Sequence, residues 1–344
     1  MPVLTSLRPR AAVPGGRVTL LGADLPLPPD EPPYVTLGGL RCRVVFASRQ
    51  SIDVVVPAEA SGGAMPVRAE GVPGDPLMLE VATVVVNDVH QVDSPLCDPS
   101  GAVYFTHSGT RGAKAPVPLG RVNPDGTHDS LPVDISNPTS LALGPDGTIY
   151  VSSRFDGQIY QLTRDARAEL YATDLGVATG LACAADGTVY VGDRTGTIFR
   201  ISAGKAGESK RHVESYATIP ASVAAFHLTM GPDGCLYVTG PTLSAHDVIY
   251  RVTPEREVQV VCGGFGRPQG LAFDASGVLF VADALAGASG LYRVDVRDAM
   301  PVPELMIAAS HLVGVAFDAQ GSVLLSSSDT IWRLPAATLS RRSS

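Results

Sequence analysis

Apolar and polar positions alternate along this chain in short runs, and one unit of two such runs recurs six times. Each copy is a small-residue apolar run, a turn with glycine and a second apolar run, as in Leu-Ala-Leu-Gly-Pro-Asp-Gly-Thr-Ile-Tyr-Val at 141–151. Two apolar strands around a glycine turn predict a β-hairpin. The copies are residues 95–105, 141–151, 181–191, 228–238, 271–281 and 315–325.

The spacing of the turn glycines indicates how many strands each repeat holds. Successive turn glycines lie 46, 40, 47, 43 and 44 residues apart, which is room for four strands each. A third strand is visible after most hairpins, and alternation places its aromatic residue in the wedge between neighbouring sheets. The arginine that usually follows points the other way and is predicted to be structural. One four-stranded blade per repeat predicts an all-β protein with a six-bladed β-propeller. The turn glycines are Gly101, Gly147, Gly187, Gly234, Gly277 and Gly321.

The sixth repeat lacks chain for a fourth strand, because its third strand ends at Leu334 and the sequence stops ten residues later. The segment Val-Ala-Thr-Val-Val-Val-Asn at 81–87 precedes the first repeat and has strong β propensity. We expect this segment to pair with the last repeat and close the ring, which removes exposed sheet edges.

The unit Pro-Gln-Gly-Leu-Ala-Phe-Asp-Ala-Ser-Gly-Val-Leu-Phe-Val-Ala-Asp at 268–283 resembles the repeat of NHL-type and senescence-marker/gluconolactonase-type six-bladed propellers. The resemblance covers about residues 88–336. It implies an architecture rather than one activity, because such propellers include lactonases, other hydrolases, lyases and binding modules.

The first 84 residues carry a different pattern of short strands. Predicted strands are Gly-Gly-Arg-Val-Thr-Leu-Leu-Gly at 15–22, Tyr-Val-Thr-Leu-Gly-Gly at 34–39, Ile-Asp-Val-Val-Val-Pro at 52–57 and a further strand at 65–69. Their order resembles the IPT/TIG immunoglobulin-like domain, which implies a small β-sandwich serving as a spacer or interaction surface. We therefore predict two domains, residues 1–84 and 85–344, and an exposed loop over the proline-rich residues 25–33.

Composition and charge indicate which partners and which cellular compartment the protein is expected to have. The formal charge of −8 comes from scattered acids, and the few basic pairs lie near the termini, so a nucleic-acid footprint is absent. No apolar stretch approaches the roughly 20 residues of a membrane helix, and the first 16 residues lack a signal-peptide core. The five cysteines form no Cys-x-x-Cys pair and are predicted to be reduced, buried thiols. These features predict a cytoplasmic protein with no membrane partner.

Residues just before each inner strand are expected to ring the mouth of the propeller funnel. Eight residues before the turn glycine, the copies present Asp93, Thr139, Thr179, Phe226, Gln269 and Val313. Gluconolactonase-like enzymes hold a divalent cation there through Glu, Asn and Asp. By that resemblance Asp93, Thr179 and Gln269 occupy the ligand positions, and Asp93-Ser94-Pro95 is similar to Glu-Gly-Pro. One carboxylate, one amide and one hydroxyl are a poor set for Ca²⁺, so Asp93 is a metal ligand only if a cation binds, and otherwise a solvated loop residue.

Two histidines fall beside inner-strand starts. His227 and His311 are candidate acid/base residues, with Asn137 and Arg267 as further ligand-binding candidates beside the threonines and Gln269. His227 occupies a column where the other copies have Gly or Ser, which leaves its direction open, and His311 lies further out on its loop. A structural role for both is the alternative.

Three functions remain open from the residues and the resemblance. The first is binding or conversion of a small organic ligand at the funnel mouth, without a tightly held metal. The second is a divalent-metal-dependent lactonase or related hydrolase that uses Asp93 and one of the two histidines. The third is a non-catalytic scaffold for a protein partner. If the chain is an enzyme, the resemblance implies a lactonase-like hydrolase or a lyase.

Overall fold

A computed structural model describes residues 1–110, 112, 114–163, 165–202, 211–244, 246–284 and 288–340. In this part of the chain the regular elements are β-strands, apart from one short helix, α1 (Ala337–Ser340). None of its helices is long and apolar enough to cross a membrane.

The first ten strands lie in the N-terminal quarter of the chain. They are β1 (Val3–Arg8), β2 (Ala11–Ala12), β3 (Arg17–Ala23), β4 (Val35–Leu37), β5 (Leu40–Arg41), β6 (Arg43–Ala47), β7 (Ser51–Val55), β8 (Gly63–Ala69), β9 (Leu77–Val81) and β10 (Thr83–Asn87). One sheet has the strand order β1-β3-β7-β6. A second contains five neighbouring strands in the order β2-β9-β8-β4-β5. Alternating residues of both sheets, such as Leu20, Ile52, Val35 and Val67, pack into one shared core. The strands predicted in this region are confirmed, and residues 25–33 form an irregular, mostly exposed loop.

The rest of the chain forms six sheets. The first five are each built from four consecutive strands, and the sixth has β31, β32 and β33 with β10 as its outer strand. Their strands are β11 (Leu96–Cys97), β12 (Val103–Thr106), β13 (Leu119–Val122) and β14 (His128–Leu131); β15 (Pro138–Leu143), β16 (Ile149–Ser153), β17 (Gln158–Leu162) and β18 (Ala168–Ala172); β19 (Ala178–Cys183), β20 (Val189–Asp193), β21 (Thr197–Ile201) and β22 (Val213–Thr218); β23 (His227–Met230), β24 (Leu236–Thr239), β25 (Asp247–Val252) and β26 (Val258–Phe265); β27 (Pro268–Phe273), β28 (Leu279–Asp283), β29 (Gly290–Val294) and β30 (Glu304–Ala308); β31 (Gly314–Phe317), β32 (Val323–Ser326) and β33 (Thr330–Leu334).

The hairpin turns follow the predicted chemistry. All six turn glycines have positive φ, between +76° and +89°, a region that side chains with a Cβ rarely adopt. An aspartate in each turn also accepts a hydrogen bond from a backbone amide two residues on, as Asp146 Oδ1 does from Thr148 N at 3.0 Å. The Asp-Gly signal therefore sets both the turn and the strand pairing.

The innermost strand of each sheet lies against the innermost strand of the next, in the order β11, β15, β19, β23, β27, β31, and β31 also contacts β11. The third-strand aromatics pack between neighbouring sheets as predicted; Tyr160 and Phe199, for example, lie in the clusters that join the first sheet to the second and the second to the third. The following arginines pair with acids at the sheet surface, as in Arg200 with Glu214.

The N-terminal sheets are continuous with the fifth of the six sheets. Ala11 and Ala12 of β2 pair in parallel with Ile307 and Ala308 of β30, and on their other side with β9. A single nine-stranded sheet therefore runs from one part of the chain into the other.

Candidate functional site

The inner strands begin where neighbouring sheets approach most closely. Seven residues before each turn glycine, five of the six copies have Ser or Gly, namely Ser94, Ser140, Gly180, Gly270 and Gly314. A Cβ on Gly270 would lie 2.5 Å from Gly314 Cα and 2.6 Å from Ser94 Oγ. These positions are small because the backbones leave no room for more.

The sixth member of this column is His227, at the start of β23 in the fourth sheet. Its side chain is fully buried and reaches residues of two other sheets. Nδ1 lies 2.6 Å from Asp93 Oδ1, which precedes β11 of the first sheet, and Nε2 lies 3.1 Å from Gln269 Oε1 in β27 of the fifth sheet. The inner strands contact each other in a ring, in which the first and fourth sheets are three places apart and therefore opposite. The imidazole of His227 thus lies between opposite sheets, in the middle of the six.

The three residues, which we call the axial cluster, are all buried. Asp93 is 4% exposed and Gln269 7%. Asp93 Oδ1 also accepts a hydrogen bond from the Ser94 amide at 2.6 Å. The backbone of Gln269 is held by the Thr239 hydroxyl, which donates to its carbonyl at 2.5 Å. Within the described residues, neither Asp93 Oδ2 nor Gln269 Nε2 has a hydrogen-bond partner.

The two threonines predicted at the mouth are buried and hold backbone groups. Thr179 Oγ1 donates to the Gly192 carbonyl and accepts from the Phe226 amide, each at 3.0 Å. Thr139 Oγ1 donates to the Asn137 carbonyl at 3.1 Å. Because these hydroxyls are committed to the backbone, they build the site without facing a ligand.

Asn137 has a comparable structural role. Its Nδ2 donates to the carbonyls of Ser108 and Thr110 at 2.5 and 2.9 Å, and its Oδ1 accepts from the Gly112 amide at 2.8 Å. It therefore fixes the loop that follows β12.

Arg267 and His311 lie outside the axial cluster, with exposed side chains. Arg267 is placed by its backbone, whose amide donates to Asp283 Oδ1 at 2.7 Å. His311 has φ +57°, a left-handed loop conformation. Asp283 and Asp193 cap loops by accepting backbone amides, as expected for acids at the ends of second strands. Burial raises the pKa of Asp283, and these amide hydrogen bonds partly offset that rise.

Sequence reasoning missed two buried polar residues near the same end of the first sheet. Gln91 Oε1 accepts from Thr106 N at 2.8 Å, and Gln91 Nε2 and Ser108 Oγ are buried without a hydrogen-bond partner. Gln91 stands ten residues before its turn glycine, at the position that Asn137 occupies in the second repeat. Alignment of the repeats on their turn glycines could therefore have identified Gln91 as well.

No group of three or more His, Cys, Asp or Glu side chains with the geometry to hold a metal ion occurs among the described residues. The three atoms at the positions implied for a cation are Asp93 Oδ1, Thr179 Oγ1 and Gln269 Oε1. Each of them already contacts a protein group.

Comparison with known proteins identifies the fold without assigning a family. No protein-family model matches this sequence, and no curated protein matches it. Among solved structures, an auxiliary nutrient binding protein from Bacteroides ovatus is 15% identical with a TM-score of 0.55, covering 97% of this chain and 98% of its own. A structural genomics protein of unknown function from Bacteroides thetaiotaomicron is 12% identical, with a TM-score of 0.59 and coverage of 96% and 97%.

A third solved structure is a catalytically inactive virginiamycin B lyase from Staphylococcus aureus with quinupristin. It is 17% identical with a TM-score of 0.53, covering 88% of this chain and 94% of the lyase. At these identities the likeness shows the fold alone. The chain is an all-β protein of several four-stranded sheets in a propeller-like arrangement.

Proposed function

We propose that this chain is a closed six-bladed β-propeller with an N-terminal immunoglobulin-like domain, and that it binds a small organic ligand at the mouth formed by the axial cluster. The ring of contacts from β11 to β31 and back supports closure, as does the pairing of β10 with β33. Two sheets around one core support an immunoglobulin-like sandwich for residues 1–84, although β10 already begins at Thr83.

One observation carries the proposed binding function. A carboxylate, an imidazole and an amide from the first, fourth and fifth repeats converge, and the imidazole stands at a position where the other five repeats have Ser or Gly. Burying such groups costs several kcal/mol of desolvation, which apolar residues in the same space would avoid. Buried polar side chains that converge where the inner strands begin, despite this cost, are typical of a functional site. An auxiliary nutrient binding protein and a virginiamycin B lyase with quinupristin have the same fold, which is consistent with small-molecule binding.

We infer that no metal is held tightly at this mouth. A hard cation needs several free oxygen ligands with net negative charge. Asp93 Oδ1 is engaged by His227 and Ser94, and Gln269 Oε1 faces the imidazole. The Thr179 hydroxyl is held by Gly192 and Phe226, so of these side-chain oxygens only Asp93 Oδ2 is without a partner within the described residues. The residues present therefore do not fit the cation implied by the gluconolactonase resemblance, which favours metal-free binding over the metal-dependent lactonase.

Binding rather than catalysis is the function that the geometry supports best. His227 Nε2 is covered by Gln269, so the imidazole acts on a ligand only if Gln269 moves away. The ligand contacts available without such movement come from Asp93 and Gln269. We also propose a reducing compartment such as the cytoplasm, since the five cysteines are free.

Thermal unfolding of chelator-treated protein tests this proposal, because a ligand bound to the native state raises the melting temperature. We expect no shift with Ca²⁺, Mg²⁺, Mn²⁺ or Zn²⁺, and a saturable rise with members of a small-molecule library that Asp93→Asn abolishes. A rise with a cation that depends on Asp93 would instead support the metal-dependent lactonase. No response to any compound, together with recovery of a protein partner on the immobilised chain, would support the scaffold.

A further inference from the structure

We propose a second binding site, a pocket between the sixth and the first sheets that takes a small organic carboxylate with an apolar body. Arg333 of β33 holds the carboxylate, and apolar side chains around it hold the body. The pocket lies at the end of the sheets that carries the hairpin turn of Gly101, whereas Asp93 precedes the start of β11 at the other end. The site is therefore independent of the ligand at the mouth.

A cross-strand pair recurs on the two outermost strands of the first five sheets. One residue of the third strand, an arginine in four sheets and a glutamine in the second, stands directly opposite an acid or an amide of the fourth strand. Side chains at directly opposite positions are close enough to interact. The pairs are Arg121 with Asp129, Gln161 with Glu169, Arg200 with Glu214, Arg251 with Gln259 and Arg293 with Glu304.

The sixth sheet departs from this pattern because its outer strand, β10, comes from the N-terminal part of the chain. Arg333 stands opposite Thr83, which carries no charge. Arg333 Nε lies 3.8 Å from Asp318 Oδ2, too far for a hydrogen bond, and this buried Nε has no hydrogen-bond partner among the described residues. The guanidinium group thus lacks the cross-strand acceptor that its counterparts have.

A pocket of about 470 Å³ opens beside Arg333, and its size is within the range of small-molecule sites. Of the described residues that line it, Arg333 alone is charged. The amide of Asn123, a polar group of the lining, already donates to Thr127 and Asp129. The apolar residues of the lining are Val84, Val85, Val103, Val122, Pro124 and Pro335.

The chemistry of Arg333 favours a carboxylate. A guanidinium group presents parallel N–H donors that match the two oxygens of a carboxylate, and charge strengthens both hydrogen bonds. Asp318 does not line the pocket, and its Oδ1 accepts from the amides of Gln320 and Ser322 at 3.0 and 2.8 Å. A ligand carboxylate would therefore supply the acceptor that the fourth strand supplies in the other sheets.

The ligand also needs an apolar body. The side chain of Arg333 is 41% exposed, and an ion pair that water reaches contributes little by itself. Val84, which is 46% exposed on the pocket wall, offers apolar surface whose removal from water adds to the affinity. A purely polar anion would gain only the first of these contributions.

Titration of the full chain with octanoate tests this site. Calorimetry measures binding, and so does the fluorescence of Trp332, the single tryptophan, which stands opposite Val84 in the register of β33 and β10. Octanamide keeps the body without the charge, and acetate keeps the charge without the body. We expect saturable binding of octanoate and at least about tenfold weaker binding of both reference compounds. Equal binding of octanoate and octanamide would overturn the ligand class, and the absence of saturable octanoate binding would overturn the site.

A charge-removing variant locates the carboxylate. Arg333→Gln should weaken octanoate binding by about tenfold or more, to the level of octanamide. Arg200→Gln makes the same change at an arginine that has its cross-strand acid, and this matched control should bind octanoate as the parent does. Octanoate that binds Arg333→Gln as tightly as the parent would overturn the role of Arg333.

A second variant keeps the arginine, so the test does not depend on the folding of Arg333→Gln. Thr83→Glu restores the cross-strand acid and should weaken octanoate binding by about tenfold, because the new carboxylate competes for the guanidinium group. Thr83→Gln has nearly the same volume without the charge and should weaken binding less. Equal effects of the two would mean that filling the pocket, not charge, is responsible, and would overturn the carboxylate contact. Asp93→Asn should leave octanoate binding unchanged, so that this site and the mouth can fail separately.

Discussion

At the scale of single residues, the contact between Asp93 and His227 has the largest expected energetic consequence. Both side chains are almost completely buried, and Asp93 Oδ1 lies 2.6 Å from His227 Nδ1. Removing one partner of a buried hydrogen bond leaves the other polar group without a partner in a medium that solvates it poorly.

Asp93→Ala is therefore expected to lower the free energy of unfolding by about 1–3 kcal/mol. Urea denaturation followed by Trp332 fluorescence measures this change. Asp30→Ala, which removes an exposed carboxylate from the proline-rich loop, is the control and should leave the midpoint unchanged. Equal midpoints for the two variants would contradict a buried hydrogen bond between Asp93 and His227.

The cysteines provide a second prediction at this scale. Burial raises the pKa of every thiol to about 11, so at pH 8 only about one thiol in a thousand is ionised in the folded protein. Since the thiolate is the reactive form, Ellman's reagent should label the native chain slowly and the urea-unfolded chain at once. Rapid labelling of one native thiol would show that its surroundings are open. The residues concerned are Cys42, Cys97, Cys183, Cys235 and Cys262.

At the scale of strands, the starts of the inner strands are limited by backbone contact. A Cβ on Gly180 would lie 2.4 Å from the Phe226 carbonyl, and a backbone atom cannot turn away as a side chain can. Phe226 directly precedes His227, so a side chain at position 180 that displaces the Phe226 backbone would also displace His227 in the axial cluster.

Gly180→Ala should therefore destabilise the protein by about 1–3 kcal/mol and shift the NMR signals of His227. Gly147→Ala is a matched variant, because Gly147 has φ +84° and open space around its Cβ position. It should cost about 1–2 kcal/mol through backbone strain and leave the His227 signals in place. Unchanged His227 signals in both variants would contradict close packing at the strand starts.

The outer strand of the sixth sheet is the other element with a clear test. In β10, Val86 is 8% exposed and pairs with Ile331, whereas Val84 is 46% exposed. We expect Val86→Asp to cost at least about 2 kcal/mol, because it buries an unpaired charge, and Val84→Asp to change stability by less than about 0.5 kcal/mol. Urea midpoints compare the two. Similar effects of both would argue against the observed register of β10.

At the scale of the whole molecule, the short strand β2 joins the N-terminal sheets to β30. Gly16 lies beside this junction, and a Cβ there would be 2.3 Å from the Ala308 carbonyl. The amide of Val13 donates to the same carbonyl at 2.9 Å. Two parts that share a hydrogen-bonded sheet are expected to unfold together.

The parent chain should accordingly show coincident urea transitions by Trp332 fluorescence and far-UV circular dichroism. Gly16→Ala should weaken the junction, so that β2 and β30 lose protection from amide hydrogen exchange before the other strands. Gly263→Ala is the control, since its nearest contact is an ordinary 3.4 Å from a side chain. Separate transitions in the parent would mean that the shared sheet does not couple the two parts.

Much of the architecture was predictable because its causes are local. An Asp carboxylate bonds an amide two residues away and a glycine in the same turn adopts positive φ, so each hairpin carries its own signal. Asp93 and Gln269 were also predicted from the sequence as candidate site residues, because the turn glycines bring equivalent positions into one column. The same alignment did not separate residues that face the mouth from Thr139 and Thr179, whose hydroxyls bond the backbone.

The sequence by itself determined the repeats, their turns, and a column of strand starts occupied by small residues with one histidine. Only the tertiary structure decided where that histidine points. Its two partners lie 134 and 42 residues away along the chain. The side chain takes its direction from the space that Ser and Gly leave in the other copies, and this space exists only once six sheets are packed together.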